Sequence, residues 1–212
     1  MERYVYVNSI DDLKRINPVV AKIGDGSEGS AYFTQNKQVL KVNDGFAPEE
    51  ILDSDKDKVI MAQDFDLESY LFPKQLYLCD GVVVGYLSNY FGKNIIQFHP
   101  SFSCHEFKTI DYDKLLEARE KMIEDTRILS KEQINIYDLC FNLLFDGNKL
   151  GAIDTIGYYK DPNITFDKNV RRIDYSLANE LNMHNGLYSD DPTIKFDPNV
   201  SLEENIKRIR KK

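Results

Sequence analysis

The sequence predicts an α+β fold with two lobes, a β-rich first lobe and a truncated, mainly helical second lobe. Residues 19–43 and 75–87 contain short β-branched and aromatic runs separated by polar or glycine-containing turns, which is typical of antiparallel strands. Residues 111–129 instead repeat apolar side chains at helical spacing, with charges at the other positions. The change of pattern places the boundary near residues 88–92. The predicted lobes are residues 1–90 and 91–212.

The first lobe is predicted to open with a strand, followed by a helix that Ser9 caps. Pro48 favours the start of a second helix, whose many acids suit a helix N-terminus. The pair Asp80–Gly81 favours a tight turn between two strands. In chain order, the predicted elements are strand 4–7, helix 10–16, three strands within residues 19–43, helix 48–63, and strands 75–78 and 82–87.

The second lobe is predicted to contain helices and one small hairpin. Two apolar runs are separated by Asp146, Gly147 and Asn148, which are typical turn residues. In chain order, the predicted elements are an irregular segment at 92–109, helix 111–129, apolar runs 139–145 and 150–153, and helical stretches near 170–181 and 201–209.

Composition narrows the class of protein. The net charge of −8 and the pI near 5.0 argue against general binding to nucleic acid or to anionic membranes. No apolar run approaches the roughly 20 residues that span a bilayer, and no apolar segment marks a signal peptide at the start. The scattered, odd-numbered cysteines favour reduced thiols and a cytoplasmic location. They are Cys79, Cys104 and Cys140.

A glycine-rich motif offers the first chemical signal. Gly24, Gly26 and Gly29 match the pattern G-x-G-x-x-G, and the residues that follow are strand-like rather than helical. A glycine loop between two strands is the arrangement that covers ATP phosphates in protein kinases, whereas the dinucleotide fingerprint needs a helix at this point. Lys41 ends an otherwise apolar strand after the next hairpin, where a buried cation requires an anion. An ordinary surface lysine is the alternative.

The second half carries another ordered set of polar residues. Residues 136–144, Ile-Tyr-Asp-Leu-Cys-Phe-Asn-Leu-Leu, resemble the kinase catalytic loop H-R-D-L-x-x-x-N followed by two apolar residues. Residues 152–155, Ala-Ile-Asp-Thr, resemble the metal-binding D-F-G motif. Each acid taken alone is more often a loop cap than a ligand, so the order of the motifs carries the interpretation.

Taken together, these motifs resemble the protein-kinase-like superfamily over roughly residues 15–160. The resemblance implies ATP and Mg²⁺ or Mn²⁺ as cofactors. It implies that Asp138 accepts or orients the substrate hydroxyl, and that Lys41 binds the α- and β-phosphates and pairs with a helix acid. That acid is predicted to be Asp57, with Glu50 as the alternative. The other implied residues are Gly24, Gly26, Gly29 and Ala31 around the nucleotide, Ser88, Asn89 and Tyr90 as the hinge that reads adenine, and Asn142 and Asp154 on the metal.

Three departures from the kinase pattern leave the activity open. Ile136 replaces the histidine of the catalytic loop, and three residues rather than four separate Asp138 from Asn142. Thr155 and Ile156 replace the phenylalanine and glycine of D-F-G. The first hypothesis is a minimal Ser/Thr protein kinase with a protein substrate. The alternatives are a pseudokinase that acts as a nucleotide-binding interaction module and a small-molecule phosphotransferase.

The short second lobe adds an expectation about partners. Only 58 residues (212 minus 154) follow Asp154. This compactness resembles the small kinases that bacteria deliver into host cells as effectors, although delivery itself is not readable from the sequence. An activating protein partner is therefore expected beside the protein substrate, because a small lobe leaves apolar surface exposed.

Overall fold

The structure is a computed structural model that describes residues 2–48, 50–92, 96–97, 110–188 and 193–211. Its elements form an α+β fold, as predicted. The chain forms two compact units. The first unit comprises Met1–Asp66 and Leu71–Tyr90, and the second comprises Leu67–Tyr70 and Phe91–Lys212. Most of the predicted irregular segment 92–109, with Cys104, lies outside the described residues.

A six-stranded mixed sheet organises the first unit. Its strands, in chain order, are β1 (Tyr4–Tyr6), β2 (Val19–Asp25), β3 (Ser30–Thr34), β4 (Gln38–Val42), β5 (Gln75–Cys79) and β6 (Val82–Asn89). In space the order is β1-β5-β6-β4-β3-β2, with β1 parallel to β5 and every other pair antiparallel. All six strands were predicted, with bounds that differ by a residue or two.

Local chemistry explains the turns and the first helix of this unit. Asp80 and Gly81 both have positive φ angles, 47° and 85°, which is the conformation that a tight two-residue hairpin requires. Helix α1 (Ile10–Ile16) begins where the Ser9 side chain accepts a hydrogen bond from the Asp12 amide. Leu13 of α1 is fully buried and packs in the core with residues of the sheet. These predictions are confirmed.

The predicted helix at 48–63 is wrong. The described residues of this segment form only a 3₁₀ helix, Asp53–Lys58, flanked by irregular chain. Lys56 pairs with Asp53 and Lys58 with Asp55, and this i,i+3 spacing matches three residues per turn. Val59, Ile60 and Met61 are all buried, although three consecutive residues of an α-helix point in different directions. The spacing of the ion pairs and the burial of three consecutive residues therefore fit a short 3₁₀ helix and not a long α-helix.

The second unit contains most of the helical residues. Its helices are α2 (Tyr112–Lys131), α3 (Phe166–Tyr188) and α4 (Leu202–Arg210). Its strands are β7 (Ile96–Gln97), β8 (Ile134–Asn135), β9 (Leu143–Phe145), β10 (Leu150–Ala152) and β11 (Tyr159–Lys160), which form the sheets β10-β9-β7 and β11-β8. Helices α2 and α4 match the predicted bounds closely, whereas α3 extends the predicted 170–181 at both ends. No helix among the described residues is both long enough and apolar enough to cross a membrane.

A buried ion pair joins the three long helices. The Nε and Nη2 atoms of Arg119 donate to the two carboxylate oxygens of Asp174 over 2.6 Å and 2.7 Å. The amide of Leu202, at the start of α4, also donates to Asp174. Because one carboxylate accepts from α2 and from α4 while belonging to α3, it fixes the relative positions of these helices.

Candidate functional site

The glycine-rich turn lies where the sequence placed it, between antiparallel strands β2 and β3. The Gly26 amide donates to the Gly29 carbonyl over 2.9 Å and closes the turn. Gly24 lies within β2 and pairs with Ala31, which in turn pairs with Lys41 of β4. Gly24 of the motif and Lys41, the predicted phosphate-binding residue, therefore lie in register on either side of Ala31.

The glycines of this motif have different structural roles. A Cβ atom at Gly29 would lie 1.9 Å from the Val42 carbonyl oxygen, a contact that no side chain could tolerate. A Cβ atom at Gly26 would meet its nearest neighbour at 3.8 Å, which is an ordinary contact. Gly29 is therefore required by packing against β4, whereas packing within the first unit leaves Gly26 free to serve another purpose.

Lys41 is largely enclosed within the sheet. Its side chain is 14% exposed, and its strand neighbours are Ala31 and Tyr86. The Oε2 atom of Glu28 lies 3.9 Å from the lysine Nζ. Sequence analysis missed Glu28, although an acid inside the glycine motif itself was a visible signal. The Glu28 backbone carbonyl also accepts from the Gly45 amide, which connects the turn to the chain that follows β4.

The structure does not place Asp57 beside Lys41. Asp57 is exposed and accepts a hydrogen bond of 2.5 Å from the Tyr4 hydroxyl. Tyr4 belongs to β1, which is three strands away from β4 in the sheet. The prediction failed because it depended on a helix at 48–63, and the 3₁₀ turn instead carries its acids toward the β1 edge. Glu50, the alternative, is exposed in irregular chain.

The predicted hinge residues lie at the end of the first unit. Ser88 and Asn89 are the last residues of β6, opposite Val39 and Gln38 of β4. Ser88 is buried, while the Tyr90 ring packs on Phe33 with 4.7 Å between ring centroids. These contacts locate the three residues. Reading of adenine by them stays a prediction.

The second unit brings Asp138, Asn142 and Asp154 together. The Asn142 side-chain amide donates to the Asp138 carbonyl over 2.8 Å. The Asn142 carbonyl accepts from the Ile153 amide over 2.9 Å, which draws in the neighbouring Asp154. Burial, and to a smaller degree the charge of Asp154, raises the pKa of Asp138 above its usual range. The Asp154 carboxylate is thus close enough to influence the proton affinity of Asp138.

The backbone of this cluster is strained at three positions. Asp138, Phe141 and Asp154 have φ angles of 48°, 67° and 55°, in the left-handed region that non-glycine residues rarely adopt. Each costs on the order of 1 kcal/mol and persists only where surrounding contacts impose it. Such residues concentrate at functional sites, so their grouping supports a functional reading of this cluster.

Helix α3 hydrogen-bonds to the backbone that leads into this cluster and to Phe141 within it. Asn169 accepts from the Ile136 amide and donates to the Ile134 carbonyl, and Arg172 donates to the Ile136 carbonyl. Further along the same helix, Glu180 accepts from the Phe141 amide. Sequence analysis missed all three residues. The available signal was a set of polar side chains on the buried face of a helix.

Tyr158 is a buried tyrosine that lies close enough to Asp138 and Asp154 to interact with their charges. It is buried, and its ring meets Tyr70 edge to face with 6.1 Å between centroids. Burial raises the pKa of Tyr158 well above its usual range, and the charges of Tyr70, Asp138 and Asp154 act in the same direction. The cluster therefore combines carboxylates with a poorly solvated aromatic surface.

Asn142 and Asp154 could bind a metal ion only together with ligands from outside the protein, such as phosphate and water. Among the described residues, no group of three or more His, Cys, Asp or Glu side chains is placed to hold a metal. Asn142 and Asp154 supply hard oxygen atoms, which suit Mg²⁺ when phosphate and water complete its coordination. The residues thus fit a nucleotide-bound cation better than a site built from protein ligands alone.

Comparison with known proteins assigns no family, because neither a family model nor a curated protein matches the chain.

Proposed function

We propose that the protein is an ATP-dependent phosphotransferase of a minimal, protein-kinase-like type that acts on a hydroxyl group of a protein. The observation that carries the proposal is the grouping of Asp138, Asn142 and Asp154 in the second unit. A hydroxyl-orienting aspartate, a metal amide and a metal aspartate, in this chain order, are the catalytic set of protein kinases.

The first unit supports the same proposal independently. Counted from the strand before the glycine loop, Lys41 lies on the third strand, which is where protein kinases carry their phosphate-binding lysine. The antiparallel register places Ala31 between the glycine turn and this lysine. The first unit therefore contains the glycine motif and the lysine, and the second contains the two aspartates and the asparagine, in the same order as in protein kinases.

In the proposed reaction, Lys41 would bind the α- and β-phosphates of ATP. Asn142 and Asp154 would hold a Mg²⁺ ion, which would neutralise part of the phosphate charge. Asp138 orients the substrate hydroxyl, whose oxygen forms a bond to the γ-phosphorus while the bond from that phosphorus to the bridging oxygen of ADP breaks. The hydroxyl proton passes to Asp138. The raised pKa of Asp138 suits it to accept that proton.

The first experiment tests nucleotide binding. ATP with Mg²⁺, in excess of its dissociation constant, should raise the melting temperature, because a ligand of the folded state stabilises it by mass action. Lys41→Ala should reduce this shift, whereas Lys58→Ala, at an exposed lysine of the same unit, should leave it unchanged. A wild-type protein that shows no shift at millimolar nucleotide would contradict the proposal.

The second experiment separates transfer from binding. Asp138→Asn should leave the nucleotide-induced shift nearly intact and abolish phosphoryl transfer, because the carboxylate acts mainly in the transition state. Asp154→Ala should instead weaken the Mg²⁺-dependent part of the shift. Equal transfer rates for the wild type and Asp138→Asn would remove Asp138 from the mechanism.

A second candidate function is a nucleotide-binding module without transfer activity. The 3₁₀ helix at Asp53–Lys58, in place of a long helix with an acid facing Lys41, favours this alternative. In the active state of protein kinases, the lysine pairs with an acid of that helix. Nucleotide-induced stabilisation that depends on Lys41, together with no transfer to any protein substrate, would support the module over the enzyme.

A further inference from the structure

Glu180 is a buried acid that the proposed reaction does not use. Glu180 is only 1% exposed and lies on the buried face of α3. Its Oε1 atom accepts from the Phe141 amide. Burial raises the pKa of Glu180 to about 7, although the amide donor acts in the opposite direction. Burying an acid is unfavourable, so this side chain is placed here at the expense of stability.

The partner of Glu180 is a residue with left-handed backbone in the proposed catalytic turn. Phe141 has a φ angle of 67°, and its side chain projects outward, with 51% of the residue exposed. Phe141 directly precedes Asn142, whose side chain reaches back to the Asp138 carbonyl and whose own carbonyl accepts from Ile153. A rotation at Phe141 would displace the Asn142 amide from Asp138.

We propose that Glu180 is a positioning residue for the turn at residues 138–142. By accepting the Phe141 amide, its carboxylate holds a left-handed backbone conformation that Phe141 would otherwise leave. This contact presents the Asp138 carboxylate and the Asn142 side chain together. Glu180 touches neither nucleotide nor substrate in this role. The consequence for catalysis rests on the proposed function, whereas the consequence for the turn does not.

The test is a double-mutant cycle that uses glycine to remove the need for positioning. Glu180→Leu fills the space but removes the acceptor, and Phe141→Gly allows the left-handed conformation without strain. Hydrogen exchange at the residue 141 amide, measured by NMR, reports the turn without any nucleotide. In Glu180→Leu this exchange should accelerate by about tenfold or more relative to the core amides of α2, because the hydrogen bond to the buried carboxyl group is lost.

Function should follow the same pattern in these variants. The Mg²⁺-dependent nucleotide shift and the transfer rate should fall in Glu180→Leu, and the Phe141→Gly background should recover most of the loss. A purely structural role for Glu180 predicts the same loss in both backgrounds, and that result would overturn the proposal. Unchanged exchange at residue 141 in Glu180→Leu would also overturn it.

Glu180→Gln covers the case in which the leucine variant fails to fold. Glutamine retains a carbonyl oxygen of similar reach, so the residue 141 amide should stay protected to within about threefold of the wild type. Loss of that protection in a folded Glu180→Gln variant would contradict positioning by an acceptor. If the wild type binds no nucleotide, the proposed function fails, but the exchange measurements still decide the role of Glu180.

Discussion

Gly26 and Gly29 belong to one motif, but their surroundings give them separate tests. Gly29→Ala should destabilise the protein by roughly 2–3 kcal/mol, because the new methyl group would collide with the Val42 carbonyl. Gly26→Ala should change the free energy of unfolding much less, since its nearest neighbour is an ordinary 3.8 Å away. Urea denaturation measures both effects.

The matched pair also tests the phosphate-binding interpretation. If the turn lies over phosphates, Gly26→Ala should weaken nucleotide-induced stabilisation despite its normal stability, because a Cβ atom hinders the approach of backbone amides to phosphate oxygens. A Gly26→Ala variant that binds ATP as tightly as the wild type would restrict the motif to a packing role.

Glu180 gives a prediction about pH. Its pKa is raised from the ordinary 4.5 to about 7, so the folded protein holds this proton more tightly than the unfolded chain does. The Glu180 contribution to the free energy of unfolding therefore falls as pH rises from about 4.5 to about 7. The difference in unfolding free energy, Glu180→Gln minus wild type, should increase by about 3 kcal/mol across this range. Urea denaturation at several pH values measures it.

An exposed variant, Glu132→Gln, controls for the loss of one negative charge without burial. A difference between Glu180→Gln and wild type that stays flat across the pH range would show that the buried carboxylate is not destabilised as its surroundings imply.

At the scale of elements, the Arg119–Asp174 pair should dominate the stability of the helical unit. Asp174→Asn removes the buried anion that faces the Arg119 guanidinium and leaves the largely exposed Glu120 as its remaining acidic partner, so it should cost about 3 kcal/mol. Glu203→Gln breaks an exposed i,i+4 pair with Lys207 within α4 and should cost much less, because solvent screens both charges. Similar losses in the two variants, measured by urea denaturation, would contradict the assignment of the buried pair as the link between α2, α3 and α4.

Elements that local contacts determine were predicted correctly. The helix predicted at residues 48–63 has no such local contacts, and the structure does not contain it. Ser9 caps α1, and Asp80–Gly81 turns β5 into β6, through contacts within a few residues. The segment 48–63 has apolar residues that look helical, but its acids and lysines pair at i,i+3, and Val59, Ile60 and Met61 are buried one after another. Periodicity cannot distinguish these outcomes, because burial of consecutive residues depends on what surrounds them.

At the scale of the whole molecule, residues 67–70 should be part of the second unit in solution. Asp125 accepts from the amides of Glu68 and Ser69, the Ser69 carbonyl accepts from Ala152, and the Tyr70 hydroxyl bonds to Thr126. A fragment of residues 91–212 should therefore be less stable than a matched chain in which residues 66–70 are joined to residue 91 by a flexible linker. The expected difference is at least about 2 kcal/mol.

Denaturant unfolding followed by circular dichroism measures this difference between the two fragments. Equal midpoints would show that residues 67–70 contribute nothing to the second unit, contrary to the contacts of Asp125 and Tyr70.

The sequence by itself determined the α+β class, the six strands of the first unit, the glycine turn ahead of the Lys41 strand, and the order of Asp138, Asn142 and Asp154. These features follow from local turn chemistry, strand patterning and motif spacing. Only the tertiary structure decided that Glu28 rather than Asp57 lies near Lys41, that Gly29 is required by β4, and that Glu180 holds Phe141. Each of these features is a contact between residues on different elements. Such contacts depend on how the segments pack together, which local propensity does not determine.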